Sequence, residues 1–91
     1  MAIAATFDIK GMTAEQYDRV LKDLEAAGQG APDGRTYHIA CSVDGGWVVV
    51  DLWESPEQMQ KFSETLIPIL EAAGVTPTEP TVRQVHNIIR G

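Results

Sequence analysis

The chain has 91 residues, the size of one small domain (residues 1–91), and its 13 acidic and 7 basic side chains leave a net charge of −6. This balance argues against nucleic acid and anionic membrane surfaces as partners, because both bind clusters of lysine and arginine. No apolar run approaches the ~20 residues of a membrane-spanning helix, and Met1-Ala2-Ile3 lacks the basic start of a signal peptide. With a single cysteine, Cys41, and no export signal, we expect a cytoplasmic protein.

A domain of this size needs support beyond its own core, since it buries only about 60% of the surface of its unfolded chain. One cysteine excludes an internal disulfide, and His38 and His86 stand alone rather than in a cluster with zinc spacing. We therefore expect no metal or other cofactor, and we expect self-association to supply the missing stability.

The first half of the chain predicts a strand and then a helix. Residues 2–9 are apolar and rich in β-formers, which indicates a buried strand. Thr13 and Gln16 have the spacing of a capping box, and Gly28 is a typical helix stop. The residues between them form one apolar stripe: Tyr17, Val20, Leu21, Leu24 and Ala27. Residues 29–34 are predicted to be a loop.

A β-hairpin follows, with strands at 35–43 and 47–54 joined through Asp44-Gly45-Gly46. Asp-Gly is one of the strongest short hairpin signals. The second of these strands is too apolar to be exposed on one face, so both of its faces should be covered.

The second helix begins at Ser55-Pro56, where Ser55 is the predicted cap and Gln58 completes the capping box. Pro68 should kink or break this helix, and Gly74 should end it. Its apolar stripe is Met59, Phe62, Leu66, Ile69 and Leu70. After a proline-containing loop, residues 82–89 are predicted to form the last strand.

The predicted order β-α-β-β-α-β defines an α+β, ferredoxin-like fold, with two helices on one face of a four-stranded antiparallel sheet. Two helices cover only one sheet face. The other face is also apolar, with Val48, Val50 and Leu52 on one parity of the third strand. An exposed apolar face implies a partner, and a second copy related by a twofold axis is the simplest one.

The passage Val50-Asp51-Leu52-Trp53-Glu54-Ser55-Pro56-Glu57, followed by Phe62, resembles the dimeric α/β-barrel superfamily that includes the antibiotic-biosynthesis monooxygenases. Small bacterial members of unassigned activity are the most similar, since they share the stretches at 37–40, 45–47 and 85–87. The resemblance implies a dimeric α/β barrel with a pocket between sheet and helices, lined by Trp53. It does not extend to haem-degrading members, because their iron-binding histidine lies on the second helix and none occurs here.

Strand parity places several side chains of the third strand on one face: Trp47, Val49, Asp51 and Trp53. A two-residue turn at Asp44-Gly45 would set His38 directly opposite Asp51. A turn at Gly45-Gly46 would set Ala40 there instead, with His38 still on the same face. A three-residue loop would shift the register by one residue and separate the two.

A carboxylate inside an apolar strand is costly unless it is paired, so Asp51 either orders the sheet or serves chemistry. Our leading hypothesis is a small cofactor-independent enzyme, monooxygenase-like or an acid/base isomerase or cyclase. Its substrate would be an apolar, aromatic small molecule. His38 or His86 would be the acid/base, Asp51 would orient or charge it, and Trp53 would hold the substrate.

Four further residues complete the predicted ligand-binding set: Trp47, Met59, Phe62 and Asn87. Packing in the core or at a dimer seam is the alternative role for each of them. Cys41 lies on the opposite parity from His38 and has no basic neighbour, so it is not expected to be a nucleophile. Two other functions fit the sequence, namely a non-catalytic small-molecule-binding or accessory dimer, and a purely structural dimer with a filled interior.

Overall fold

The computed structural model describes all 91 residues and contains the six predicted elements in the predicted order. They are β1 (Ile3–Lys10), α1 (Ala14–Ala26), β2 (Arg35–Val43), β3 (Gly46–Trp53), α2 (Pro56–Ala72) and β4 (Thr81–Gln84). The strands form one sheet in the order β2-β3-β1-β4, and every neighbouring pair is antiparallel. The ferredoxin-like α+β prediction is confirmed. Neither helix is long and apolar enough to cross a bilayer.

Helix α1 begins as its sequence predicts. The Thr13 hydroxyl accepts the Gln16 backbone N–H at 3.2 Å, and the Gln16 side chain accepts the Thr13 N–H at 3.0 Å. This reciprocal capping box satisfies two backbone donors that a helix start otherwise leaves free. The helix then buries Val20 and Leu24 against the sheet.

Helix α2 differs from its prediction in two ways. Ser55 caps it by accepting the Gln58 N–H at 3.3 Å, but the Gln58 side chain contacts the Ser55 hydroxyl rather than closing a capping box. Of the kink or break predicted at Pro68, the break is wrong, since the helix runs on to Ala72. Pro68 is exposed, and burial of Leu70 just beyond it offsets the lost backbone hydrogen bond, at about 1.5–3 kcal/mol per buried side chain.

The hairpin turn is the two-residue Asp44-Gly45, because Val43 pairs with Gly46. Gly45 has φ +77°, a left-handed conformation that glycine adopts without strain. This register sets His38 opposite Asp51, as the first of the two predicted turns required.

A β-bulge that the sequence did not predict lies at the start of β2, between Arg35 and Tyr37. Tyr37 pairs with Leu52, while Arg35 pairs with Trp53, so Thr36 is the extra residue. Strict alternation would put Arg35 on the same sheet face as Tyr37. The bulge instead turns Arg35 to the face that carries Trp53.

Strand β4 is shorter than the predicted 82–89. Its last partner is Ile3 of β1, opposite Gln84, and Val85 donates one further hydrogen bond to the Ala2 carbonyl. The ladder between β1 and β4 ends at this pair. The C-terminal tail then reaches the opposite edge of the sheet, which β2 forms. There the Arg90 guanidinium lies 5.1 Å from the ring centre of Tyr37.

The core lies between the sheet and the two helices. Its buried members are Ile3, Ile9, Met12, Val20, Leu24, Val49, Trp53, Phe62, Leu70, Ala73 and Val75. The opposite sheet face is apolar but unpacked, with Val48, Val50 and Leu52 only half-buried and Ile39 exposed. We call this surface, formed by Tyr37, Ile39, Val48, Val50 and Leu52, the open face.

Candidate functional site

A chain of two short hydrogen bonds joins three side chains from three elements. The His38 Nδ1 atom on β2 lies 2.6 Å from the Asp51 Oδ1 atom on β3. The Tyr17 hydroxyl on α1 lies 2.6 Å from the His38 Nε2 atom. Asp51 is 5% exposed, so its carboxylate is withdrawn from water and held by the imidazole. The hairpin register brings His38 to Asp51, and packing of α1 on the sheet brings Tyr17 to His38.

The chemistry of these groups indicates which atom donates and which accepts in each of the two hydrogen bonds. A carboxylate only accepts, so the His38 Nδ1–H donates to Asp51. We assign the neutral ring to His38, and in this tautomer Nε2 accepts from the Tyr17 hydroxyl. Burial raises the pKa of Tyr17 above its ordinary value of 10.0, the charge of Asp51 adds to this shift, and Arg35 opposes it. Tyr17 is therefore a neutral phenol at neutral pH, and it donates to His38.

A cavity of about 500 Å³ lies between the helices and the sheet, and Tyr17, His38 and Asp51 all line it. Its other walls are mostly hydrophobic, and the loop between α2 and β4 contributes residues 75–80. This volume and lining are typical of sites for small organic molecules. The arrangement can hold an apolar molecule against a proton acceptor.

Three predicted ligand-binding residues line the cavity: Trp53, Met59 and Phe62. Trp53 is 1% exposed, and its ring packs against Phe62 with centroids 5.4 Å apart. Trp47 lies behind Tyr17 rather than in the cavity wall, and the two rings stack at 5.3 Å. The buried indole N–H groups of both tryptophans lack partners, each at a cost of about 1–3 kcal/mol.

The structure does not bring His86 and Asn87 to this site. Both are exposed, follow the end of β4 and do not line the cavity. Strand β4 is at the sheet edge opposite β2, with β1 and β3 between them, so His86 starts far from His38. Between the two histidines named as acid/base candidates, the geometry singles out His38.

Tyr17 and Arg35 were not among the predicted site residues, although both line the cavity. Tyr17 carried one signal, a hydroxyl within the apolar stripe of a helix that must face the sheet. Arg35 carried none, because its orientation depends on the bulge. As for metals, no three His, Cys, Asp or Glu side chains lie close enough together to hold an ion.

The fold and the cavity define the class of protein: a ferredoxin-like domain with a ligand-sized cavity between its sheet and its two helices. Solved structures with this architecture include a proposed antibiotic biosynthesis monooxygenase from Deinococcus radiodurans, with TM-score 0.62 and 17% identity over 99% of this chain and 97% of that one. SnoaB from Streptomyces nogalater, a cofactor-independent oxygenase, matches with TM-score 0.63 and 14% identity over 99% and 96%. Rv0793 from Mycobacterium tuberculosis matches with TM-score 0.52 and 17% identity over 98% and 95%.

These similarities confirm the predicted resemblance to the antibiotic-biosynthesis-monooxygenase-like proteins at the level of the fold. No model of a known protein family matches the sequence, and no curated protein matches it either. Because a shared fold hosts many activities, the function has to be argued from the site.

Proposed function

We propose that this protein is a small enzyme that removes a proton from an apolar aromatic molecule bound in its cavity, without a cofactor. The observation that carries the proposal is the Tyr17–His38–Asp51 chain at the wall of a cavity that is otherwise mostly hydrophobic. A base, an orienting carboxylate and a relaying hydroxyl have here the mutual geometry that acid/base catalysis requires.

In the proposed step, a substrate hydroxyl or acidic C–H gives its proton to the Tyr17 oxygen while the Tyr17 proton moves to the His38 Nε2 atom. The resulting imidazolium is stabilised by Asp51, whose carboxylate already accepts the Nδ1–H. The substrate is left as an anion in a mostly apolar cavity. Trp47, stacked on Tyr17, holds the phenol ring in place for the transfer.

The reaction that we favour for this anion is oxygenation. An electron-rich aromatic anion can give electrons to dioxygen directly, and SnoaB, which has the same fold, is described as a cofactor-independent oxygenase. Isomerisation and cyclisation also start from such an anion, and they are the other reaction classes of this proposal. We further propose that the protein acts as a homodimer joined through its open face.

The test compares oxygen uptake and product formation with a panel of naphthohydroquinones for the parent, Tyr17→Phe and Asp51→Asn. We expect each variant to lose about 100-fold or more in turnover, the usual contribution of positioned acid/base groups. Tyr37→Phe is the matched control, because Tyr37 lies on β2 with its side chain on the open face. Equal rates for all four proteins would overturn the proposal. Tight binding without turnover would favour the non-catalytic binding protein.

A further inference from the structure

We propose that Arg35 forms an anion-binding subsite in the cavity, so that the natural substrate is an aromatic acid rather than a neutral aromatic. This inference deepens the proposed function and rests on the same cavity. It concerns which molecules enter the cavity, whereas the Tyr17–His38–Asp51 chain concerns what happens to them.

Arg35 is the one lysine or arginine side chain that lines the cavity. It is there because of the bulge in β2, which pairs Arg35 with Trp53 and turns it to the helix-covered face. Bulges beside functional sites commonly redirect a side chain in this way. A fully extended β2 would have sent the guanidinium to the open face.

The Arg35 guanidinium has no carboxylate partner, although the chain carries 13 acidic residues. The close contacts between basic and acidic side chains are Arg19 with Asp23 and the neutral His38 ring with Asp51, and neither involves Arg35. Arg35 donates one hydrogen bond, from Nη2 to the Gly30 carbonyl at 3.2 Å, and its Cζ atom lies 5.7 Å from the ring centre of Phe62. These contacts hold the side chain in place and leave most of its five donors free for an anion.

Two carboxylates also line the cavity, and neither of them pairs with Arg35. The Asp51 carboxylate is already bound by His38, and Glu79 is exposed on the loop before β4. The charge of Arg35 also acts on Tyr17, since it opposes the rise in the pKa of this phenol that burial and Asp51 cause. A guanidinium placed there favours negative charge on the bound molecule before and after proton removal.

The spacing of the two subsites indicates the size of the molecule. Arg35 and His38 lie opposite Trp53 and Asp51, which are two residues apart on β3, so the subsites are about 7 Å apart along the sheet. A substrate of two or more fused rings, with an acidic group at one end and its reacting position toward the other, spans that distance.

The test uses a matched pair of probes, naphthoate and its neutral methyl ester, at pH 7. Their affinities are measured from the shift of the indole N–H NMR signal of Trp53, which lines the cavity and does not face the open face. We expect the parent to bind naphthoate about tenfold or more tightly than the ester, as a charge-assisted pair provides. Arg35→Gln should remove that preference without weakening the ester, and Arg35→Lys should keep part of it.

Arg83→Gln is the control, because Arg83 is an exposed arginine on β4 that does not line the cavity. It should leave the preference for naphthoate unchanged. Equal binding of both probes by the parent, absence of any indole shift with naphthoate, or a preference that survives Arg35→Gln would each overturn the subsite. The NMR spectrum of each variant shows directly whether it is folded.

Failure of this inference and failure of the proposed function give different results. The preference for naphthoate over its methyl ester should survive Tyr17→Phe, since this variant removes the relay and not the guanidinium. If the parent prefers naphthoate but turns over no substrate, the anion-binding subsite is supported and the proposed enzymatic function is rejected. If the parent turns over neutral aromatics as fast as acidic ones, and Arg35→Gln has the same rates, the enzymatic function is supported and the subsite is rejected.

Discussion

At the scale of single residues, the pairing of Asp51 explains how an acid survives in an apolar strand. An unpaired buried carboxylate would be strongly unfavourable, but the His38 Nδ1–H donates to it at 2.6 Å. Sequence parity placed these two side chains on one face. It did not reveal that Tyr17 would extend the pair into a chain of three groups.

The raised pKa of Tyr17 predicts a specific loss of stability at high pH. The folded-state pKa exceeds the unfolded value near 10.0, chiefly because of burial, so above that pH the folded protein holds the proton more tightly. The free energy of unfolding should therefore fall as the pH rises from 10.0 through the folded-state pKa. Below pH 10.0 this contribution is fully present.

Urea unfolding of the parent and Tyr17→Phe between pH 9 and pH 11.5 checks this prediction, with those limits set by the ordinary value for tyrosine of about 10. The parent should lose more stability over this range than Tyr17→Phe, which has no hydroxyl to ionise at this position. Tyr37→Phe should follow the parent. A parent and a Tyr17→Phe variant with parallel pH profiles would contradict the assignment.

At the scale of elements, the hairpin between β2 and β3 matters most, because its register sets His38 opposite Asp51. Two adjacent glycines, Gly45 and Gly46, are each required at the turn of this hairpin, for different reasons. Gly45 needs a left-handed backbone but has open space around it, whereas a Cβ on Gly46 would meet the Ile9 carbonyl oxygen at 2.4 Å. The first constraint is conformational, and the second is steric contact with β1.

The two glycines should therefore respond differently to substitution. Gly45→Asn should cost less than the about 1–2 kcal/mol of other side chains in the left-handed conformation, because asparagine adopts it more readily. Gly46→Ala should cost about 1–3 kcal/mol, since backbone atoms of β1 must move to make room. The free energy of unfolding in urea measures both. Equal costs at the two positions would contradict the steric explanation.

At the scale of the whole molecule, the sheet has one packed face and one that a single chain leaves bare. Tyr37, Ile39 and Val43 on β2 are exposed there, and the C-terminal tail reaches Tyr37 through Arg90. Apolar surface of this kind is costly in water and is usually covered by a partner. A twofold pairing of open faces would enlarge the thin core that a 91-residue chain can build.

Dimerisation through this face predicts a mass of twice 9.9 kDa in sedimentation equilibrium. Ile39→Glu should shift the protein to the monomer, because it places a charge in the middle of the apolar surface. Ile67→Glu on α2 is the matched control, since Ile67 is 42% exposed compared with 53% for Ile39 but lies on the helical side. A monomeric parent, or a dimer that persists in Ile39→Glu, would rule out this interface.

Local sequence signals were sufficient to predict the six elements and most of their ends. Thr13 with Gln16, Ser55 before Pro56, and Asp44-Gly45 act through the backbone of a few neighbouring residues, and so their effects are readable locally. Parity along β3 likewise predicted which side chains share a face with Asp51. From these signals we predicted the fold, the homodimer and the placement of His38 and Asp51 on one face of the sheet.

Which distant groups come into contact depends on packing between elements. The contact of Tyr17 with His38 depends on how α1 lies across the sheet, and the orientation of Arg35 depends on a bulge with no local sequence signal. The end of β4, and with it the position of His86, depends on where β1 stops offering partners. Each is set by packing between segments far apart in the chain, and the periodicity of a single segment does not carry that information.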